Sequence, residues 1–298
     1  MPDNTTPSQV RLYGVERSDR VATYAEVVAL VGRARQALID KGMPARTGSA
    51  LGALFAKADR LNREWNAGTT SKDVEILMQA DDAARIAVAV LEAIEQPESR
   101  EAIRRITRSD MRLATRQPSQ GKDALWELDL MSFLRGRGAA ATFKDPPDLE
   151  IMLPENLGAY GIACKKVYSE SSVDGQFSKG LKQLAPYSGA GLVAFNLDDL
   201  TPERNILRAR TRQEGSDHLH GLNIAFMERH RARFQDAVMA GRCDGVWISS
   251  CVQADIAGLS PSFNRVTENT LWTVAEAGFG PKIRIGALRG IIDGLRRP

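Results

Sequence analysis

The sequence has little sulfur and little imidazole. Its three cysteines (Cys164, Cys243 and Cys251) are odd in number and form no CxxC pair, which argues against a disulfide framework and against a structural zinc site. Three histidines, His218, His220 and His230, are too few for a His-based metal cluster. No apolar run approaches the roughly 18 residues of a membrane-spanning helix. The first nine residues are polar and lack the apolar stretch of a signal peptide. The expectation is a reduced, cytoplasmic protein with no membrane partner. A Walker-type phosphate loop, internal repeats and low-complexity tracts are missing as well. What is there is ordinary globular material: 43% hydrophobic and 26% charged residues, enough for a packed core. The formal net charge of +3 permits a nucleic-acid partner without requiring one, so local clustering of charge decides.

At 298 residues the chain is long enough for two domains. Residues 1–20 read as a polar, frayed lead. Apolar residues then recur every three or four positions. Val21, Tyr24, Val27, Val28, Val31, Ala34 and Leu38 predict a first helix, with Gly42 in its C-cap region. Helices follow over 50–65, 71–94 and 98–114. Thr70 and Ser71 are N-cap candidates for the second of these, which is either continuous or broken near Asp81–Asp82. Residues 1–118 thus form a helical N-terminal region. The stretch 115–121 (TRQPSQG) holds Pro, Ser and Gly without apolar periodicity and is the linker candidate. From 119 to 298 the character changes. A helix over 122–135 precedes short apolar runs at 140–143, 149–153, 159–167, 191–195 and 245–250, with helices over 175–187 and 223–240. Strands alternating with helices predict an α/β layer. His218 and His220 fall in a stretch that reads as polar loop.

Residues 123–197 carry the chemistry. A helix contains Glu127 (ALWELDLMSFLRGRG). Two strands follow, PPDLEIML and YGIACKKVY, then a helix, SVDGQFSKGLKQL, and an apolar strand, GLVAFNL. This order resembles the PD-(D/E)xK nuclease superfamily. There a helix glutamate precedes a hairpin bearing the Pro-Asp aspartate and an acid-x-lysine pair. The resemblance implies a restriction endonuclease-like mixed sheet flanked by helices. It matches Glu127 to the helix glutamate, Asp148 to the Pro-Asp aspartate and Lys165 to the lysine. The residue types suit the chemistry. Carboxylates are hard ligands for Mg²⁺ or Mn²⁺, which polarises a phosphate and activates water. A nearby lysine orients that water and offsets transition-state charge. Residues i and i+2 of a strand share a face, so acid and lysine reach one pocket.

One position departs from the pattern. Ala163 stands where the acid belongs, and shifting the register to Cys164-Lys165-Lys166 supplies no carboxylate. Two readings stay open. In one the acid comes from elsewhere. Glu150 is two residues beyond Asp148 on the same strand face, and Glu170 and Asp174 follow the second strand. The catalytic set is then Glu127, Asp148, Glu150 and Lys165, with the three acids holding metal. In the other the site is degenerate and the domain binds without cutting. Lys165 and Lys166 point to opposite faces, which predicts one of them on the surface. Cys164 reads as a small core residue. Gln183 matches a position where members of the superfamily carry a polar group near the site, although surface is the plainer reading for it and for Lys182.

Arg104, Arg108, Arg112 and Arg116 lie four apart. On one continuous helix they make a basic stripe suited to a phosphate backbone. The plainer reading is a solvated face paired to Glu98 or Glu101. The function implied by the resemblance is metal-dependent cleavage of DNA phosphodiester bonds, in a defence, restriction or repair setting. The alternative is a nuclease-like module for nucleic-acid binding or assembly. The helical region would contact DNA, form a homodimer or hold a partner protein.

Overall fold

The structure is a computed structural model that describes residues 9–12, 24–66, 74–202, 205–259 and 262–294. Its strands are β1 (Gln9–Leu12), β2 (Ala141–Phe143), β3 (Leu149–Leu153), β4 (Gly158–Lys166), β5 (Gly191–Asn196), β6 (Ile206–Ala209), β7 (Gly245–Ile256) and β8 (Phe263–Trp272). They join in one eight-stranded mixed sheet, ordered β1-β8-β7-β5-β4-β3-β2, with β6 beside the second half of β7. β2, β3 and β4 form an antiparallel meander; β4, β5 and β7 run parallel; β8 and β1 return antiparallel. Parallel neighbours need a crossover. Helix α6 (Val173–Leu184) supplies it between β4 and β5, and α7 (Arg212–Met239) supplies it on the way to β7. The remaining helices are α1 (Tyr24–Asp40), α2 (Ala50–Asn66), α3 (Val74–Ala93), α4 (Arg100–Arg108), α5 (Gln120–Gly136) and α8 (Phe279–Ile292). The α/β class and the helical N-terminal region follow the expectation. No helix among the described residues is long and apolar enough to cross a membrane.

Alternation along the central strands divides the core in two. Ala163, Val193, Phe195 and Ile248 face α6 and α7, where they meet Phe177, Phe226 and Phe234. Ile162, Cys164, Leu192, Ala194 and Trp247 face the other way, toward α5 and the N-terminal helices. That second cluster is continuous from Val31, Phe55, Ile86 and Ile103 through Leu128 to Leu149 and Trp247. Residues on both sides of position 118 therefore share one core. Each fully buried large aliphatic or aromatic side chain in it contributes roughly 1.5–3 kcal/mol. Helix α5 lies in the middle, and Trp126 donates its indole N–H to Ala194 O at 3.3 Å.

Several local features follow from single residues. Helix α1 closes with a Schellman arrangement in which Met43 N bonds Leu38 O and Gly42 N bonds Ile39 O; Gly42 takes φ 70°, which a side chain would resist. Helix α3 is unbroken through Asp81 and Asp82, because Arg265 pairs with both. Thr70 and Ser71 lie outside the described residues, as does the expected frayed lead apart from β1.

Three expectations are corrected. The helix expected over 98–114 ends at Arg108. Asp110 Oδ1 accepts the Arg112 N–H at 2.9 Å, a local turn that competes with helix. Arg104, Arg108, Arg112 and Arg116 consequently do not line one helix. The stretch 115–121 is pinned rather than loose. The buried Lys122 ammonium donates to Thr115 O at 2.6 Å and Gln117 O at 3.2 Å, and Ser119 caps α5 by accepting Gly121 N at 3.2 Å. His218 and His220 stand on α7, which starts early because Thr211 caps it by accepting Glu214 N at 3.2 Å.

Candidate active site

The hairpin of β3 and β4 brings the acid and the amine together. Leu149 pairs with Ile162, so Asp148 lies beside Ala163 and reaches the end of β4. Its Oδ2 accepts the Cys164 N–H at 2.7 Å and the Lys165 ammonium at 3.0 Å. Its Oδ1 accepts Gln183 Nε2 at 3.2 Å, so the α6 glutamine belongs to the site while Lys182 is exposed. Lys165 also donates to Cys164 O at 2.7 Å. Burial raises the Asp148 pKa, even with Lys165 beside it.

Helix α5 contributes Glu127, which is buried and close enough to Asp148 and Lys165 to feel both charges. Burial pushes Glu127 up to about 7, against the pull of Arg105. Arg105 is the residue that sequence reasoning missed. It comes from α4 and holds both Glu127 oxygens with its fork, Nη1 to Oε1 at 3.0 Å and Nη2 to Oε2. One turn earlier on α5, Asp123 accepts the Tyr168 hydroxyl at 2.9 Å, and burial raises its pKa too. Three carboxylates near one strand end, Asp123, Glu127 and Asp148, thus have their pKa values raised by burial.

The other expected acids do different work. Glu150 accepts the Tyr187 hydroxyl at 2.5 Å. Glu170 holds Arg229 and His230, each at 2.8 Å, and Asp174 meets Arg233 at 3.2 Å; both tie the start of α6 to α7. Among the described residues no three His, Cys, Asp or Glu side chains converge as a metal cluster, so Glu127, Asp148 and Glu150 do not form the expected trio. Position 163 faces packed apolar side chains rather than the polar end of the hairpin. Ala163 is fully buried in the apolar core under α6. A Cβ on Gly180 there would come within 2.9 Å of the Val193 methyls and 3.5 Å of the Ala163 Cβ.

The arginines of the expected stripe go separate ways. Arg104 pairs with Glu101 at 3.4 Å, Arg112 folds onto Asp110 at 2.8 Å, and Arg116 turns inward to Asp199 at 3.4 Å and Pro202 O at 2.7 Å. Arg108 is exposed.

Neither lysine of β4 is a surface residue: Lys165 and Lys166 are both 8% exposed. Lys166 projects to the α5 face, where its ammonium meets Asp199 and Asn196, each at 2.6 Å. A polar cavity of about 70 Å³ adjoins it, lined by Asp82, Arg85, Arg116 and Arg265 among others. The strand end therefore holds two charged centres, one around Lys165 and one around Lys166. Comparison with family models, with characterised proteins and with solved structures returned no match.

Proposed function

We propose that the chain is a metal-dependent hydrolase of nucleic-acid phosphodiester bonds, DNA in the first instance, of the PD-(D/E)xK kind. The observation that carries this reading is the 3.0 Å contact of Asp148 with Lys165, set beside a buried glutamate from the preceding helix and a glutamine from the following one. The donor set suits one Mg²⁺ or Mn²⁺ ion, which is commonly held by one or two carboxylates with water and phosphate completing its shell. Asp148 and Glu127 are the two carboxylates. Burial raises the pKa of both, against the pull of Arg105 on Glu127 and of Lys165 on Asp148. A bound ion would supply Lewis acidity toward the phosphate and lower the pKa of water. Lys165 would orient the attacking water and offset developing negative charge. Gln183 would hold Asp148 in place.

The test is plasmid cleavage by the full chain with Mg²⁺ or Mn²⁺. Asp148→Ala and Lys165→Ala are each expected to lose about 100-fold or more, the usual scale for a positioned acid–base group. Equal cleavage by all three proteins would reject the reading. A second reading, a module that binds nucleic acid without cutting, is favoured by one observation: Ala163 is sealed beneath α6. Salt-sensitive DNA binding with no metal-dependent cleavage would establish it instead.

A further inference from the structure

Arg105 is not explained by a nuclease-type site. It enters from α4 in the N-terminal region and places its guanidinium fork on both oxygens of Glu127, one of the two carboxylates assigned above to metal. The contact lies partly inside the protein, with side-chain exposures of 28% for Arg105 and 10% for Glu127, so solvent screens it little. Arg105 and Lys165 are the cations beside Glu127 and Asp148, with Asp123 a third carboxylate within reach of both. A divalent ion that takes the Glu127 oxygens must displace the guanidinium fork that occupies both of them. Lys165 is the more deeply held, at 9% side-chain exposure, and it also bonds Cys164 O. Arg105 is the more exposed and has no bond at Nε among the described residues, so its ties converge on Glu127. A guanidinium fork fits a phosphate as it fits a carboxylate.

We infer that Arg105 is an exchangeable counter-cation: it competes with the divalent ion for Glu127 and, once displaced, takes a phosphate of the nucleic-acid backbone. The arrangement couples metal binding to substrate binding, since the fork has a new partner only when the phosphate is present. This rests on the reading of Glu127 and Asp148 as metal ligands.

The experiment measures two affinities of the full chain, Mn²⁺ by titration calorimetry without DNA, and a short DNA duplex by anisotropy at several salt concentrations with saturating Ca²⁺, a divalent ion that carboxylate oxygens also hold. Arg105→Met is expected to bind Mn²⁺ about tenfold more tightly, as follows from freeing a carboxylate of one charge-assisted contact. The same variant is expected to bind DNA more weakly, with a salt slope smaller by about one. Arg105→Gln, which keeps a hydrogen bond to Glu127 and loses the charge, serves where the methionine variant does not fold and is expected to move both values the same way. Opposite signs are the signature, because a merely structural arginine would weaken both. Unchanged or weaker Mn²⁺ binding, or unchanged DNA binding, overturns the inference. Failure of the metal site itself reads differently: Asp148→Ala would then bind Mn²⁺ as the parent chain does.

Discussion

Two neighbouring lysines of one strand end in opposite circumstances. Lys166 is closed in by Asp199 and Asn196 at 2.6 Å and by the Tyr168 ring at 5.6 Å, and Asp199 is only 2% exposed. Asp198 beside it is held by Arg85 at 3.1 Å and by the Cys251 N–H at 2.9 Å. Burial alone would raise Asp198, yet Arg85 and Lys166 take its pKa below the ordinary range. Lys165, by contrast, meets one carboxylate, and burial raises the pKa of both Asp148 and Glu127 against the pull of their partners. Charges that are fully matched hold a structure together. Charges left short of compensation are what a ligand can complete. By that measure the Lys166 centre fits a scaffold and the Lys165 centre fits the proposed site.

The largest effect expected from this contrast is on stability. Lys166→Met leaves the buried Asp199 with the 3.4 Å contact of Arg116 and leaves Asn196 Oδ1 with the Asp198 N–H at 3.3 Å. Breaking a buried pair from one side costs about 3–5 kcal/mol, to be read from urea unfolding as a lower midpoint at unchanged slope. A cost below about 1 kcal/mol, the scale of an exposed pair, would show that the Lys166 centre is not scaffold and would erase the contrast.

A second effect sharpens the boundary of the scaffold. Asp82 on α3 reaches Arg265 at 2.7 Å and Gln253 at 3.2 Å, which ties the helical region to β7 and β8. Burial raises Asp82 to about 6 despite Arg265, with Asp81 adding to the rise. The sign follows from proton counting. Between about pH 4 and 6 the folded chain holds more protons at this carboxyl than the unfolded chain, so stability falls as pH rises through that window. The contribution is present below it and lost above it, on the order of 3 kcal/mol at most. Asp82→Asn should flatten this part of the stability–pH curve, measured by denaturant unfolding at pH 4.5 and 6.5. Parallel curves for the two proteins would mean that Asp82 does not titrate in this window and would remove the prediction.

Much of the fold was legible because apolar spacing is a direct record of burial. Val27, Val31, Ala34 and Leu38 mark the inner face of α1, and the run from Gly191 to Phe195 marks a strand covered on both sides. The order of elements also placed Asp148 and Lys165, since strand pleating brings i and i+2 to one face. What failed to show was burial of polar groups. Glu268 and Thr270 are buried in β8 and interrupt any apolar pattern there, so the strand went unread. The first half of α7 is mostly polar, so it passed for loop. The regular spacing of Arg104, Arg108, Arg112 and Arg116 drew attention to a helix that Asp110 ends early, while the arginine that enters the site, Arg105, sits one place out of that register. Its partner is 22 positions away, and no local pattern encodes such a meeting. The expectation that one of Lys165 and Lys166 lies on the surface failed for the same reason, since Asn196, a partner of Lys166, is 30 positions off.

The smallest effect completes the contrast. Lys165→Met should cost about 1 kcal/mol or less, although Lys165 is as buried as Lys166. Two reasons apply. Asp148 keeps the Cys164 N–H and the Gln183 amide as donors. Burial also raises its pKa, and losing the ammonium raises it further, so taking up a proton offsets part of the cost of a stranded charge. Groups kept for chemistry are often indifferent or costly to the fold. Melting temperature at pH 6 and pH 8 checks this. The loss should be smaller at pH 6, where the proton is easier to bind. A loss equal to that of Lys166→Met at both pH values would make Asp148 and Lys165 an ordinary structural pair and would remove the main support for a catalytic site at this end of the sheet.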